Sequence, residues 1–438
     1  MEKLAIHGGT PVIVSPPADL FRWPIITPED EAAALEVIRN NSFSGTDRTI
    51  QFEKEFAQWL GCSHALAFSS GTMSLTAAMF AAGLGMGDEI ICPTKTYWAS
   101  VTQAFSFGAT PVFANIDEHF VLDPTDLERC ISPHTRAIMA VHYSGYPCDM
   151  DPIMEIARQH NIIVIEDVSH AQGGLYKGRR LGTIGDVAAM SLMSGKSFAA
   201  GELGILVTNN RKLYDRAVAY AHYERNNAGW LESEDLAPYA GIALGGMKGR
   251  ANQLCVTLAR GQLKHYDERC VQIRRAMNRF WDLLDGLPGL YAVRADESVG
   301  SNMAGWYNAI GGYRPEELGG LPVGKFCEAL RAEGVSTWDG ANWCLHTHNL
   351  FKTMDLYHAG KPTRIVHAHR DVRLLDDACR PSEERCCLTV PWFKYYDEEW
   401  IARYAHAFRK VIENHASLLD PSSSGMKQGG RWYGTAGN

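Results

Sequence analysis

Between residues 64 and 208 the chain alternates short apolar runs, rich in β-branched residues, with segments whose apolar positions recur at helical spacing. Runs at 64–68, 89–92, 110–114, 137–141, 162–165, 187–192 and 204–208 read as strands. Helical patterns fall before them at 49–60, and between them up to about 82 and at 99–107, 124–130 and 152–160. Repeated strand–helix units of this kind fold as a mostly parallel sheet covered by helices on both faces, because parallel neighbours need a crossover between them. That α/β arrangement also says where to look for chemistry. Ligands bind at the C-terminal ends of the strands.

The flanks divide the rest. Residues 1–43 form an N-terminal arm, with a Pro-rich lead-in and a helix over 28–38 that Thr27 caps. A large domain, 44–285, closes with a helix over 211–223, a glycine-bearing segment over 226–249, and a long helix over 252–284 stopped by Gly286-Leu287-Pro288-Gly289. A smaller α/β domain, 286–420, is expected to hold strands near 290–294 and 306–310, a helix over 325–333, a strand from 335 and a terminal helix over 398–419. The small polar tail, 421–438, reads as disordered. With 438 residues, 46% of them hydrophobic, the chain can bury one large core and a smaller one.

Charge and patterning exclude several classes. A net charge of -8 argues against a nucleic-acid or anionic-membrane partner. No apolar run approaches the roughly 20 residues that cross a bilayer, and the N-terminus has no signal-peptide segment. Eleven cysteines without framework spacing read as reduced thiols, so a cytoplasmic location is expected. The pairs His346 and His348, His367 and His369, and Cys386 and Cys387 lack the spacing of a structural zinc site, and no metal is expected. Gly195-Lys196-Ser197 resembles the end of a P-loop, but Met190 stands where its first glycine is required.

The chemistry concentrates between residues 161 and 204. The buried strand over 162–165 runs into Glu166 and Asp167, and the strand over 187–192 leads to Lys196 between small residues. An acid and a lysine on the same sheet rim suit pyridoxal 5′-phosphate, the lysine as Schiff-base amine and the acid as partner of the ring nitrogen. Ser70-Gly71-Thr72, between strand and helix, makes a phosphate seat or an ordinary capped turn. Ser191 can add a phosphate contact. Tyr97 and Trp98 follow another strand, where an aromatic stacks on a ligand ring or packs in the core. Asp167 alone reads equally as a helix cap or an ion-pair partner, and Lys196 alone as a solvated lysine. Their joint order along the chain carries the argument.

Taken together, SFSGTDRTIQFEKEFAQWLG, SSGTMSL, GDEIICPTKTYWAS, GATPVFANID, TRAIMAVHYSGYPCDMD, VIEDVSHAQGGLYKGRRLGTIGD and SGKSFAAGELGILVTNN resemble the DegT/DnrJ/EryC1/StrS family of sugar aminotransferases. The resemblance implies a pyridoxal-phosphate-dependent transferase of fold type I: a mostly parallel seven-stranded sheet with helices on both faces, plus a smaller α/β C-terminal domain. It implies that Gly71, Thr72 and Ser191 hold the cofactor phosphate, Tyr97 stacks on its ring, Asp167 meets the pyridine nitrogen and Lys196 carries the internal aldimine. His170 stands where many relatives have a glutamine near the ring hydroxyl. Lys248 replaces the asparagine of an Asn-x-Arg segment that reaches the neighbouring subunit's phosphate, which implies a homodimer with shared sites. Leu203 replaces the middle glycine of the usual Gly-Glu-Gly-Gly.

The implied reaction moves an amino group from glutamine or glutamate to a keto sugar or keto-cyclitol, for an amino sugar or aminocyclitol of an antibiotic or a cell-surface glycan. LAIHGGTPV and Trp23-Pro24 resemble members that aminate keto-cyclitols in aminoglycoside pathways. The alternative is a lyase, aldolase or dehydratase using the same cofactor. Relatives that dehydrate sugars carry histidine in place of the lysine, so Lys196 favours transfer. A non-catalytic regulator on this fold would carry an attached DNA-binding segment, and none of suitable length or basic charge is found. Candidate contacts for the acceptor are His142, Tyr143, Tyr223, Arg225, His346 and His348.

Overall fold

A computed structural model describes residues 2–227 and 229–419, so the expected disordered tail lies outside the described residues. All seven expected runs form strands of one sheet: β1 (His64–Phe68), β2 (Glu89–Pro93), β3 (Thr110–Ala114), β4 (Thr135–Val141), β5 (Ile163–Asp167), then, after a two-stranded hairpin of β6 (Leu175–Tyr176) and β7 (Arg179–Arg180), β8 (Val187–Ser191) and β9 (Gly204–Thr208). Their order is β1-β9-β8-β5-β4-β2-β3. The pairs from β8 through β3 are parallel, while β9 runs antiparallel to both its neighbours, β8 and β1. Helices cover both faces, which is why Val112, Phe113, Ile138, Met139, Val164 and Ile165 are buried in consecutive pairs rather than alternately.

Two crossovers differ from expectation. Residues 99–107 form two 3-10 turns, Trp98–Ser100 and Thr102–Phe107, the second stopped by Gly108 at a φ of 71°. Residues 124–130 form the 3-10 turn Pro124–Asp126 and one helical turn, Leu127–Cys130.

The helix Gln253–Leu284 serves two cores. Val256, Ala259, Tyr266 and Cys270 pack with the seven-stranded sheet. Ile273, Met277, Phe280 and Leu284 pack with a second, smaller unit. That unit holds an antiparallel sheet of β10 (Leu290–Ala292), β11 (Ile310–Tyr313) and β12 (Cys386–Thr389), with helices Val323–Ala332 and Glu398–Glu413. The strand expected at 306–310 starts only at Ile310, because Ala304, Trp306 and Asn308 have φ values of 45°, 52° and 52°, incompatible with extended pairing. The strand expected from 335 is reduced to a bridge between Asp339 and Leu388; the third strand is Cys386–Thr389 instead.

Residues 340–385, which fall within the smaller domain expected from the sequence, dock beside the edge strand β3. Phe351, Val372 and Cys379 enter the large core there. Arg364 is fully buried, its Nε donating to the Pro111 carbonyl at 2.9 Å and its other nitrogens to Asp376 at 2.7 and 2.9 Å. Covering an edge strand in this way leaves it no free row of backbone groups.

The arm is ordered by its own cap and by the long helix. Thr27 and Asp30 form a reciprocal capping box at the start of helix Pro28–Arg39. Asp30 lies so close over Gly261 that a side-chain carbon there would meet its Oδ1 at 1.7 Å. Further along the arm, the indole of Trp23 donates to the Lys196 carbonyl at 2.9 Å. Among the described residues no helix is long and apolar enough to cross a membrane.

Candidate active site

A cavity of about 400 Å³ opens at the C-terminal ends of the parallel strands. One wall is the turn after β1. The Ser70 hydroxyl caps helix Gly71–Ala81 by accepting from the Met73 amide at 3.1 Å, and the first-turn amides of Gly71 and Thr72 stand at the positive end of that helix. Both residues line the cavity. A side-chain carbon on Gly71 would sit 2.5 Å from the Ser191 Cβ, so only glycine lets the end of β8 close on this turn and bring Ser191 beside it. Gly204 is held by the same packing, its missing Cβ 2.2 Å from the Ser70 carbonyl oxygen. Tyr97, following β2, also lines the cavity.

Asp167 ends β5 at 4% exposure. Among the described residues its oxygens take neutral donors, the Ser100 hydroxyl at 2.8 Å and the Ser169 amide at 3.1 Å. Lys196, at 8% exposure, holds its amine 4.2 Å from the centre of the Tyr307 ring. Burial draws the amine's pKa down to about 8, with the negative charge of Asp167 opposing part of that fall. His170 lies in the cavity wall with its ring 5.3 Å from Tyr143 and 4.6 Å from Tyr307. Burial, then the positive charge of Lys196, hold its pKa well below the ordinary value.

Glu166, next to Asp167 in the chain, points the other way. It accepts from the amides of Gly182, Ile184 and Gly185 and lies 3.1 Å from the His142 Nε2. Burial opposes its charge, but these hydrogen bonds outweigh that and keep its pKa below the ordinary value. Glu166 braces the loop that carries residues 182–185.

Every cofactor contact expected from the sequence lines this cavity except Lys248. Lys248 lies in a separate open groove with Arg250, Asn252 and Phe43, which shares only Glu202 with the cavity. Of the expected acceptor contacts, Tyr143 alone is in the wall. His142 braces Glu166, and Arg225 pairs with Glu53 at 2.7 Å in the interior. His346 is bonded to Thr94 and Glu383, and His348 caps helix Asn349–Lys352. Tyr223 is exposed, near the Lys248 amine. Leu203 is fully buried among core residues, so its departure from glycine fills space rather than altering the cavity.

Among the wall residues that escaped sequence reasoning are Ser100 and Ser169, beside Asp167, and Tyr307, Asn308, Asn342 and Thr389, the last four from the smaller unit and the segment over 340–385. Nothing local marks those four, because they arrive through tertiary packing. Asn342 is pinned by Tyr143, whose hydroxyl accepts from the Asn342 backbone amide at 3.2 Å and donates its one proton to Oδ1 at 2.7 Å. The side-chain NH2 of Asn342 is thereby turned away from Tyr143.

This donor set fits pyridoxal phosphate. Helix-start amides and a serine hydroxyl suit a phosphate, an aromatic suits a ring face, a carboxylate held by neutral donors suits a pyridinium, and a buried amine near neutrality suits an aldehyde.

Comparison with known proteins points the same way. Residues 24–372 match the DegT/DnrJ/EryC1/StrS aminotransferase family. The chain is 35% identical over 272 residues to the spore coat polysaccharide biosynthesis protein SpsC of Bacillus subtilis (strain 168), covering 62% of this chain and 70% of that one. It is 33% identical over 341 residues to a protein of Micromonospora echinospora provisionally named L-glutamine:3-amino-2,3-dideoxy-scyllo-inosose aminotransferase, covering 76% and 78%. The solved structure of the aminotransferase from Psychrobacter cryohalolentis superposes with a TM-score of 0.76 at 26% identity, covering 90% of this chain and 100% of that one.

Proposed function

Because the chain belongs to the DegT/DnrJ/EryC1/StrS aminotransferase family, whose members are pyridoxal-phosphate-dependent enzymes of fold type I, we propose that it passes an amino group from glutamine or glutamate to a keto-cyclitol or keto sugar. The observation that carries this reading is the buried amine of Lys196, with a pKa near 8, in one cavity with Asp167. When bound, the cofactor supplies an aldehyde that captures amines and a ring that takes up the electrons released as the donor's α C–H bond breaks.

The chain's own residues do the rest. Gly71, Thr72 and Ser191 hold the phosphate, and Tyr97 covers the ring face. Asp167 keeps a negative charge beside the ring nitrogen and so keeps a proton there. Lys196, as a free amine, takes the proton from the donor's α-carbon on Nζ and returns it elsewhere on the same face. Amides and hydroxyls from Tyr143, Asn308 and Asn342 suit the oxygens of a polyhydroxylated acceptor. The relative from Micromonospora echinospora supports a cyclitol acceptor, and SpsC supports a role in making surface polysaccharide.

Lys248, outside its own chain's cavity, suits the phosphate of a neighbouring subunit in a homodimer. Protein reconstituted with the cofactor is expected to turn yellow, to bleach with glutamine or glutamate while releasing the keto acid, and to regain colour with the acceptor. Colourless protein would sink the proposal.

A further inference from the structure

Asp167 is directed more closely than its two hydrogen bonds suggest, because one of them ends a chain. The Ser100 hydroxyl lies 2.8 Å from Oδ2 of Asp167, and the Thr96 hydroxyl lies 3.0 Å from that of Ser100. A carboxylate can only accept, so the single proton of Ser100 points at Oδ2. The Ser100 oxygen then has only lone pairs left for Thr96, whose own proton must point at Ser100. Both hydroxyls run one way, toward the carboxylate. Thr96 and Ser100 are each 1% exposed, which leaves little water to compete for the link.

The fold sets this up just beyond β2. Thr96 and Ser100 stand on either side of Tyr97 in the chain, and the Ser100 amide closes the turn onto the Tyr97 carbonyl at 3.0 Å. The stretch is anchored at Thr94, whose amide donates to the Ala114 carbonyl at 2.9 Å and whose carbonyl accepts from the Leu345 amide at 2.6 Å. One stretch of chain therefore carries both the aromatic proposed for the ring face and the donors to the acid. The other oxygen of Asp167 is fixed from a different side. Its Oδ1 accepts from the Ser169 amide at 3.1 Å, and the Ser169 hydroxyl oxygen accepts from the Ser191 amide at 2.9 Å. With both oxygens held, the carboxylate has one orientation. Cys92 on β2 and Lys196 after β8 are ionisable groups that feel its charge.

We infer that Thr96 and Ser100 are positioning residues for Asp167, a relay of hydroxyls that stabilises its negative charge and keeps the proton between it and the bound ring on the ring nitrogen. The inference rests on the cofactor placement proposed above. A buried carboxylate that loses a donor binds a proton more strongly. The shared proton would then move from the ring nitrogen toward Oδ2, and the ring would lose its positive charge. The electrons released from the donor's α C–H bond would meet a weaker sink. Neither hydroxyl has to touch the cofactor for this.

The position of that proton is read by nitrogen-15 NMR of protein loaded with pyridoxal phosphate labelled at the ring nitrogen. The parent protein is expected to show a protonated ring nitrogen. Ser100→Ala is expected to keep its cofactor content, to move the signal toward that of an unprotonated ring, and to lower kcat for the donor half-reaction about tenfold with KM little changed. Ser100→Thr, which keeps a hydroxyl, is expected to restore both. Thr96→Val leaves Ser100 in place and should move the signal the same way by a smaller amount. A merely structural role would lower stability or cofactor content without moving the nitrogen signal. Loaded Ser100→Ala protein whose signal stays at the parent position overturns the inference while leaving amino transfer intact, and an unmoved signal in Thr96→Val strikes Thr96 from the relay. Parent protein that never takes up the cofactor sinks the functional reading itself, and the inference with it.

Discussion

Whether Lys196 can act as a base depends on its proton, and burial decides that before any ligand arrives. With the amine's pKa near 8 rather than its ordinary value, a base-dependent step is blocked at low pH, where Nζ keeps its proton, and released as pH rises. The rate of bleaching by glutamine or glutamate should therefore climb to a plateau above about pH 8, as stopped-flow absorbance would show; a flat profile from pH 6 to 9 would contradict it. Asp167→Asn keeps the shape of the site and removes its charge, so kcat for the donor half-reaction should drop by about 10²–10³-fold while cofactor content changes little. Asn342 acts through a single group. Tyr143 fixes its amide with the NH2 turned outward, and Asn342→Ala should raise the KM for the acceptor about tenfold with kcat nearly unchanged. Equal loss in both constants would mean that Asn342 serves the reaction step and not the acceptor.

Among the elements, the segment over 340–385 is the one whose behaviour is least expected from its composition. It has little regular structure, yet it caps β3 through a buried guanidinium that spans the Pro111 carbonyl and Asp376. Arg364→Ala leaves Asp376 charged and without that partner in the interior, which should destabilise the protein by about 3–5 kcal/mol in denaturant unfolding. A loss under 1 kcal/mol would show the segment to be dispensable for the sheet. The seven strands were legible because both their faces are buried and their sequences are continuous apolar runs. The long helix was legible from its period and its Pro/Gly stop. By contrast, β12 lies in a short Cys-Cys-Leu-Thr run with no alternation, and the run at 306–310 reads as a strand because sequence alone does not reveal positive φ at Trp306 and Asn308. The site divides along the same line. Residues on strand ends, such as Asp167 and Ser191, were readable from local order, whereas Tyr307 and Asn342 reach the cavity only through packing of segments remote in the chain.

At the scale of the whole molecule, Lys248 lies apart from its own cavity and the side chains of Tyr223 and Met247 beside it are exposed, a surface that the proposed homodimer would cover. Light scattering on eluting active protein should give twice the chain mass, and an active monomer would overturn the shared-site arrangement. Within one chain, the seating of β1 imposes an order of events. In the seven-stranded sheet it pairs with β9 alone, and Ser69 just beyond it donates its amide to the Gly249 carbonyl. During translation the turn at Ser70 to Thr72 leaves the ribosome early but finds its partners only after residues 204–249 have followed. The phosphate seat therefore cannot be completed before residues 204–249 have been made, and a nascent chain stalled before β9 is expected not to retain the cofactor.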